Sequence, residues 1–308
     1  MSASITLIGD VTSAHESEFY TWLTEHQIAT TRKSLTNSND RISAIRYDIS
    51  TPIELGKHEV LRRELLERAD ATGVDHIFQI TTLVPEKGGL AVFDMDSTLI
   101  KAEVMDELAV EMGIGEQISA ITASAMRGEI DFTESFVQRL SLLNGLSSTV
   151  MDSVYERIVH MDGIERAMKG LHALGWKTAI LSGGFTYFAD RVCQDYGMTE
   201  VHANVLEIVD GVLTGKHVGP IVDAKRKQHL LATLSKQYGV EASQTIACGD
   251  GANDLLMLND AALGVALHAK PIVRQQAPCP MNNMGLDGIL YLLGMTSEDI
   301  DAATKGAP

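Results

Sequence analysis

Residues 1–85 contain short segments in which apolar and polar positions alternate, and two longer stretches between them have helical periodicity. The alternation predicts four strands, at Ser4–Ile8, Ile28–Leu35, Ile42–Ile49 and His76–Ile80. Apolar residues at helical spacing in Glu16–Gln27 predict one helix, and a second is expected between Pro52 and Gly73. The resulting order of strand, helix, strand, strand, helix and strand predicts a ferredoxin-like α+β domain, with both helices on one face of the sheet.

The pattern changes after the segment Val84–Gly89, in which a proline and paired glycines predict a linker. Beyond it lie four short runs that are apolar on both faces: Leu90–Phe93, Thr178–Leu181, Thr245–Cys248 and Gly264–Leu267. Strands of this kind belong in a parallel sheet that helices cover on both sides. Residues 86–308 are therefore expected to form a second domain, an α/β fold with a Rossmann-like parallel sheet.

A long helical insertion separates the first two of these strands. At about 104–160 it is too long for a single crossover helix, and its apolar residues recur at helical spacing. We interpret it as a helical cap over the carboxyl edge of the sheet. The core of the second domain then consists of residues 86–103 and 161–308.

Polar residues follow three of the four predicted parallel strands, at the carboxyl end of each strand. The segments are Asp94-Met-Asp96-Ser-Thr98, Ser182-Gly183-Gly184 and Gly249-Asp250-Gly-Ala-Asn253-Asp254. Each alone is also typical of an ordinary turn or helix cap. Because ligands of open α/β sheets bind outside the carboxyl ends of the strands, all three are expected to meet in one site.

Carboxylates dominate this predicted site: Asp94, Asp96, Asp250 and Asp254. Their mutual repulsion favours Mg²⁺, which binds carboxylate oxygens and keeps water and phosphate as its other ligands. With the metal bound, Asp94 can attack phosphorus and form an aspartyl-phosphate. Asp96 can protonate the leaving oxygen and then deprotonate the attacking water. Lys225, at the start of a predicted helix, is the candidate to neutralise the phosphoryl group.

The ordered set of these motifs resembles the phosphatases of the haloacid dehalogenase superfamily and, more specifically, the phosphoserine phosphatase family. Three longer stretches carry the more specific resemblance: Asp96-Ser-Thr-Leu-Ile-Lys-Ala-Glu103, Phe136-Val-Gln-Arg139-Leu-Ser-Leu-Leu143 and Leu181-Ser-Gly-Gly-Phe185. The resemblance covers about residues 90–295. It implies Mg²⁺-dependent hydrolysis of O-phospho-L-serine to L-serine and phosphate, the last step of serine biosynthesis.

The resemblance also implies roles for the residues of the core. Asp94 is the nucleophile and Asp96 the general acid and base. The metal is held by Asp94, the carbonyl of Asp96 and Asp250, with support from Asp254. The residues implied to lie around the phosphoryl group are Ser182, Gly183, Lys225 and Asn253.

Residues at the entrance of the cap and within it are implied to recognise the serine part of the substrate. Glu103 would bind the ammonium group and Arg139 the carboxylate, while Met126 and Phe132 would form an apolar wall. The chemistry agrees with this assignment, because a substrate with both charges on one carbon needs an acid and a base. An arginine can hold a carboxylate through two parallel hydrogen bonds, which a lysine cannot.

Composition limits the partners that this chain is expected to have. It has 25 Lys and Arg against 41 Asp and Glu, a net charge of −16, so a nucleic-acid partner is not expected. Three widely spaced cysteines give no disulfide framework or zinc motif, and no apolar run approaches the length of a membrane helix. The chain is therefore expected to be cytoplasmic and to have no membrane partner.

The N-terminal domain resembles the ACT regulatory domains that some bacterial phosphoserine phosphatases carry. ACT domains that bind amino acids usually have a glycine soon after the acidic residue that closes the first strand. Here Asp10 is followed by Val-Thr-Ser-Ala-His15, without a glycine. A role in packing or in forming a homodimer is therefore expected at least as readily as serine sensing.

Two alternatives to phosphoserine hydrolysis remain open at this point. The same chemistry could serve another small phosphate ester or transfer the phosphoryl group to an alcohol such as homoserine, since the cap decides the substrate. In the other alternative the chain is a regulatory binding protein with an inactive core. The three segments at the strand ends, together with Lys225, argue against an inactive core.

Overall fold

The structure is a computed structural model, and it describes residues 3–37 and 40–305. The first residue of the expected N-terminal domain, residue 1, and the last residue of the expected second domain, residue 308, lie outside the described residues. Within the described part, no helix is both long enough and apolar enough to span a bilayer.

The N-terminal part of the chain forms a four-stranded antiparallel sheet with two helices. Its elements are β1 (Ser4–Gly9), α1 (Ser13–Glu25), β2 (Thr30–Ser34), β3 (Ser43–Ile49), α2 (His58–Thr72) and β4 (Asp75–Gln79). The strand order β2-β3-β1-β4 confirms the predicted ferredoxin-like arrangement. Thr12 caps α1 by accepting a hydrogen bond from the His15 N–H, and Gly73 ends α2 with a left-handed backbone, φ +68°.

A seven-stranded sheet forms the core of the rest of the chain. Its strands are β5 (Leu90–Phe93), β6 (Lys177–Phe185), β7 (Glu200–Val209), β8 (Val212–Val218), β9 (Thr245–Gly249), β10 (Leu263–Leu267) and β11 (Cys279–Met281). The strand order is β11-β10-β9-β5-β6-β7-β8, and all neighbours are parallel except β7 and β8. The four strands predicted from apolar runs are all present, and β5 and β9 lie side by side at the centre.

Helices cover this sheet and also form the insertion after β5. The insertion contains α3 (Val104–Met112), α4 (Gly115–Met126), α5 (Phe132–Leu142) and α6 (Val150–Arg157). The remaining helices are α7 (Ile164–Ala173), α8 (Thr186–Asp195), α9 (Ala224–Tyr238), α10 (Leu255–Asp260), α11 (Pro271–Gln276), α12 (Gly288–Leu292) and α13 (Ser297–Lys305). The chain segments that enter and leave the insertion pair with each other, because the Lys101 N–H bonds the Val159 carbonyl and the Met161 N–H bonds the Leu99 carbonyl.

The N-terminal sheet buries its second face against the larger domain. Ile8, Ala44 and Ile77 belong to the same buried apolar cluster as Val265 and Met281 of the second sheet. Burial of an apolar face on both sides explains why β1 and β4 are inaccessible along their whole length.

Polar contacts fix the orientation of this junction. The side chains of Arg46 and Gln79 both donate to the Leu292 carbonyl, each at 3.1 Å. The Asp75 carboxylate, only 2% exposed, accepts from the backbone N–H groups of Asn282 and Asn283, each at 2.8 Å. Asp75 thereby holds the segment directly after β11, at the same sheet edge as the predicted site.

We predict that Asp75→Ala lowers the free energy of unfolding by about 2–4 kcal/mol, because two backbone N–H groups lose their acceptor. Asp70→Ala is the matched control, since Asp70 pairs with Arg274 across the same junction but its side chain is 56% exposed. Its cost is expected to stay below about 1 kcal/mol. Denaturant unfolding measures both variants, and equal losses would contradict the role given to Asp75.

Candidate active site

The site is built where the central strands β5 and β9 end. The Asp94 N–H donates to the Cys248 carbonyl of β9 at 2.9 Å, which fixes the first residue after β5. The chain then turns sharply, with Ser97 at φ +55° and the Leu99 N–H bonded to the Met95 carbonyl at 2.8 Å. This tight turn holds Asp94 and Asp96 at the carboxyl edge of the sheet, as the sequence predicted.

A lysine with no exposed surface joins two of the aspartates. Lys227 Nζ lies 2.6 Å from Asp94 Oδ2 and 2.7 Å from Asp254 Oδ1. Burial opposes the charge on Lys227, but the carboxylates of Asp254 and Asp94 outweigh it and raise the pKa of the ammonium group. Lys227 therefore places a buried ammonium group in the floor of the site.

The lysine predicted for this position was Lys225, and the structure does not bring it to the site. Asp223 caps α9 by accepting from the Arg226 N–H at 2.7 Å, and the helix begins at Ala224. Two residues on a helix lie about 200° apart, so Lys227 points into the core while Lys225 is exposed. The sequence does contain the signal, because Lys227 precedes Leu230, Leu231 and Leu234 on the buried face of α9.

Three carboxylates come close enough to share one metal ion. Oxygen atoms of Asp94, Asp250 and Asp254 all lie within 4.8 Å of one another. Asp250 accepts from the Thr98 hydroxyl at 3.3 Å, and burial together with Asp94 and Glu103 raises the pKa of Asp250 to about 7. Carboxylate oxygens are hard donors of the kind that divalent cations prefer. The cluster is consistent with a divalent metal site.

Asp254 differs from the other two members of this cluster. Its Oδ1 accepts from Lys227, and its Oδ2 accepts from the Gly251 N–H at 3.0 Å. Both oxygens are therefore engaged by protein groups. This geometry suits the supporting role that the sequence analysis assigned to Asp254 more than direct ligation.

Asp96 lies in a different environment from Asp94. Its Oδ1 is buried and has no hydrogen-bond partner among the described residues. Burial, with the charges of Glu103 and Asp94, raises the pKa of Asp96 well above its usual value. A carboxyl group with a raised pKa is suited to general acid catalysis.

A segment within β6, residues 182–184, forms the opposite wall. Ser182 is fully buried, and its Oγ accepts from the Gly184 N–H at 2.9 Å. A Cβ at residue 184 would lie 2.9 Å from Asp96 Oδ2, so only glycine lets the loop approach this closely. Asn253 completes the floor, with its Nδ2 at 3.4 Å from Asp94 Oδ2.

The cap places most of its predicted residues over this cleft. The Phe132 ring packs against Gly183, since a Cβ there would lie 3.2 Å from Phe132 Cζ. Glu103 lies at the entrance and accepts from the Ser97 hydroxyl at 2.8 Å. Arg139 is half-buried, and burial lowers its pKa, although the carboxylates of Asp106, Glu103 and Asp96 oppose that shift. Arg139 therefore lies within the field of the acidic residues of the site.

Met126 is the cap residue that the structure does not bring to the site. It is the last residue of α4, and 69% of its surface is exposed. An apolar wall from Met126 would need a different position of the end of α4, whereas Phe132 already lies against Gly183.

Known proteins with similar sequences include hydrolases and phosphatases. A family model for haloacid dehalogenase-like hydrolases matches residues 91–259. A phosphoserine phosphatase of Streptomyces coelicolor is 41% identical over 289 residues, which cover 91% of this chain and 70% of that protein. The chain spans between about half and three quarters of the length of the first curated relatives that it matches.

Two solved structures extend the similarity to the whole fold. A haloacid dehalogenase family hydrolase of Salmonella enterica serovar Typhi has a TM-score of 0.82 at 30% identity, covering 94% of this chain and 98% of that one. An unliganded probable phosphoserine phosphatase of Vibrio cholerae has a TM-score of 0.75 at 33% identity, covering 99% and 89%. Both similarities include the N-terminal domain, since they extend over nearly all of this chain.

We predict that Lys227→Gln lowers phosphate-ester hydrolysis by about 10²- to 10³-fold, because the site loses the cation that neutralises the transferring group. Lys225→Gln, on the exposed side of the same helix, is the control and should stay within about twofold of the unchanged protein. Steady-state phosphate release measures both. A large loss in Lys225→Gln with an active Lys227→Gln would restore the assignment made from the sequence.

Proposed function

The chain belongs to the haloacid dehalogenase-like hydrolases and, within them, to the phosphoserine phosphatases, and on that premise we propose how its residues hydrolyse O-phospho-L-serine. The observation that carries the proposal is the carboxylate cluster of Asp94, Asp250 and Asp254 with Lys227 buried beside it. The carboxylates of this site would repel a dianionic phosphate, so cations must neutralise part of their charge before the phosphate can bind. The lysine supplies one, and the acidic cluster is suited to hold another.

Asp94 is the proposed nucleophile. Its Oδ1 accepts from the Met95 N–H at 2.7 Å, and its Oδ2 lies against Lys227 and Asn253, so the carboxylate has a fixed orientation. An oxygen of Asp94 forms the new bond to phosphorus while the bond between phosphorus and the serine oxygen breaks. The product of this step is an aspartyl-phosphate and free serine.

Asp96 is the proposed proton carrier. Its raised pKa lets it hold the proton that the departing serine oxygen needs in the first step. The carboxylate that remains then takes a proton from water as that water attacks phosphorus. This second step releases phosphate and returns Asp94 and Asp96 to their starting states.

Four groups are proposed to bind the phosphoryl oxygens: the Ser182 hydroxyl, the Gly183 N–H, the Lys227 ammonium and the Asn253 amide. Lys227 takes the role that the sequence analysis gave to Lys225. Donors that are fixed before the substrate arrives stabilise charge in the transition state without reorganisation.

Mg²⁺ is the proposed metal, held by Asp94, the Asp96 carbonyl and Asp250, with Asp254 in support. The donor set fits this ion, because Mg²⁺ prefers oxygen ligands and few carboxylates. When bound, it supplies positive charge that relieves the repulsion between the carboxylates and the phosphate.

The serine part of the substrate is proposed to lie between Glu103, Arg139 and Phe132. The carboxylate of Glu103 suits the substrate ammonium group, and the guanidinium of Arg139 suits its carboxylate. Phe132, packed on Gly183, limits the length of the substrate side chain. We propose a cytoplasmic location, which the three free cysteines support. The homodimer through the N-terminal domain remains a prediction.

Phosphate release from a panel of esters tests the function directly. We expect phosphoserine to be hydrolysed in preference to phosphothreonine and the glycerol phosphates, and activity to be lost with a chelator and restored by Mg²⁺. Metal-dependent release without that preference would keep the catalytic core and contradict the assignment of Glu103 and Arg139. Release that a chelator leaves unchanged would contradict the metal site.

We predict that Arg139→Ala raises the KM for phosphoserine by about 10- to 100-fold, because the substrate carboxylate loses a charged hydrogen-bond partner. Turnover of an ester without a carboxylate, such as phosphoethanolamine, should change by no more than about twofold. Equal losses for both esters would mean that Arg139 stabilises the cap and does not recognise the substrate.

A further inference from the structure

Residues 182–184, which carry two of the proposed phosphoryl-binding groups, interrupt the regular pairing of β6 with β7. Ala179, Ile180 and Leu181 pair with Glu200, Val201 and His202 of β7 in register, but the next pair is Phe185 with Asn204. Four steps along β6 therefore correspond to two steps along β7. The segment 182–184 bulges out of the ladder, and its peptide groups need other partners.

One side chain of β7 supplies the missing bond. Asn204 is only 2% exposed, and its Nδ2 donates to the Gly183 carbonyl at 2.8 Å. Its Oδ1 accepts from the Val222 N–H, also at 2.8 Å. Because a backbone N–H can only donate, this second bond fixes which end of the amide faces Gly183.

The bond to Gly183 controls the direction of the Ser182 hydroxyl. The Gly183 carbonyl and the Gly184 N–H belong to the same planar peptide group. Asn204 holds the carbonyl end, and the N–H end donates to Ser182 Oγ at 2.9 Å. Since Ser182 Oγ already accepts this bond, its own hydrogen is left to be donated to a phosphoryl oxygen.

The bond to Val222 reaches the second phosphoryl-binding group. Val222 directly precedes Asp223, the residue that caps α9 and sets where the helix begins. That start point determines that Lys227 faces the site, as described above. One buried amide thus links the loop that carries Ser182 to the helix that carries Lys227.

We propose that Asn204 is a positioning residue that holds the Ser182 loop and the start of α9 in the spacing that a phosphoryl group requires. The proposal rests on the proposed function, because it takes Ser182 and Lys227 as the phosphoryl-binding groups. Asn204 does not touch the reacting atoms, and its effect passes through the peptide of Gly183 and Gly184 and through Val222.

The first test compares Asn204→Asp with Val192→Ala. Asn204→Asp keeps the size of the side chain and an acceptor for Val222, but it places an oxygen against the Gly183 carbonyl. We expect kcat/KM for phosphoserine to fall by about 10- to 100-fold and the inhibition constant of inorganic phosphate to rise by a similar factor. Val192→Ala, a buried core residue of α8, controls for lost stability and should leave both constants within about twofold. If folded Asn204→Asp has the same inhibition constant for inorganic phosphate as the unchanged protein, the proposal is overturned.

A double-mutant cycle separates positioning from general destabilisation. If Asn204 acts through Ser182, the loss in Asn204→Ser combined with Ser182→Ala is smaller than the product of the two single losses. Losses that simply multiply would show that the two residues act independently and would overturn the proposal. Asn204→Ser also provides a variant without a buried charge, which can be measured if Asn204→Asp does not fold.

Calorimetric titration of inorganic phosphate into the same variants keeps this test independent of the proposed substrate. If the unchanged protein binds phosphate but does not hydrolyse phosphoserine, the proposed function fails, while weaker phosphate binding in the Asn204 variants still supports the positioning role. Equal phosphate affinity in all variants overturns the positioning role whatever the substrate.

Discussion

The whole site depends on a single buried ammonium group. Lys227 has no contact with solvent, and it stays charged because Asp94 and Asp254 lie on either side of it. Without Lys227, the buried carboxylates of Asp94 and Asp254 would lose the ammonium group that lies between them. Without the carboxylates, burial would favour the neutral form of the lysine. The burial of Lys227 and the burial of the two carboxylates therefore depend on each other.

This constraint explains why the surroundings are built from backbone groups and glycines. Asp254 is held by the Gly251 N–H, Asp94 by the Met95 N–H, and Gly184 leaves room for Asp96. Groups of this kind approach closely and bring no further charge. The junction with the N-terminal sheet adds rigidity at the same edge, because Asp75 holds the segment that follows β11.

The sequence was sufficient for the parts of the structure that depend on local patterns. Short apolar runs predicted the central strands, and Asp94, Asp96 and Asp250 were placed correctly because each follows a strand at its carboxyl end. The structure does not bring Lys225 to the site, because the facing of a helical residue depends on where the helix begins, and the cap at Asp223 sets that point. Asn204 could not be predicted, since its role comes from a change of register between β6 and β7 that leaves no local pattern.

The proposed mechanism requires Asp94 to carry the phosphoryl group between two steps of one reaction. Acid quenching during turnover of phosphoserine, followed by peptide mass spectrometry, tests it most directly. We expect a phosphoryl group on the peptide that contains Asp94, and neither that species nor turnover in a freshly prepared Asp94→Asn variant. A phosphoryl group on another residue, or turnover by Asp94→Asn at the rate of the unchanged protein, would contradict it.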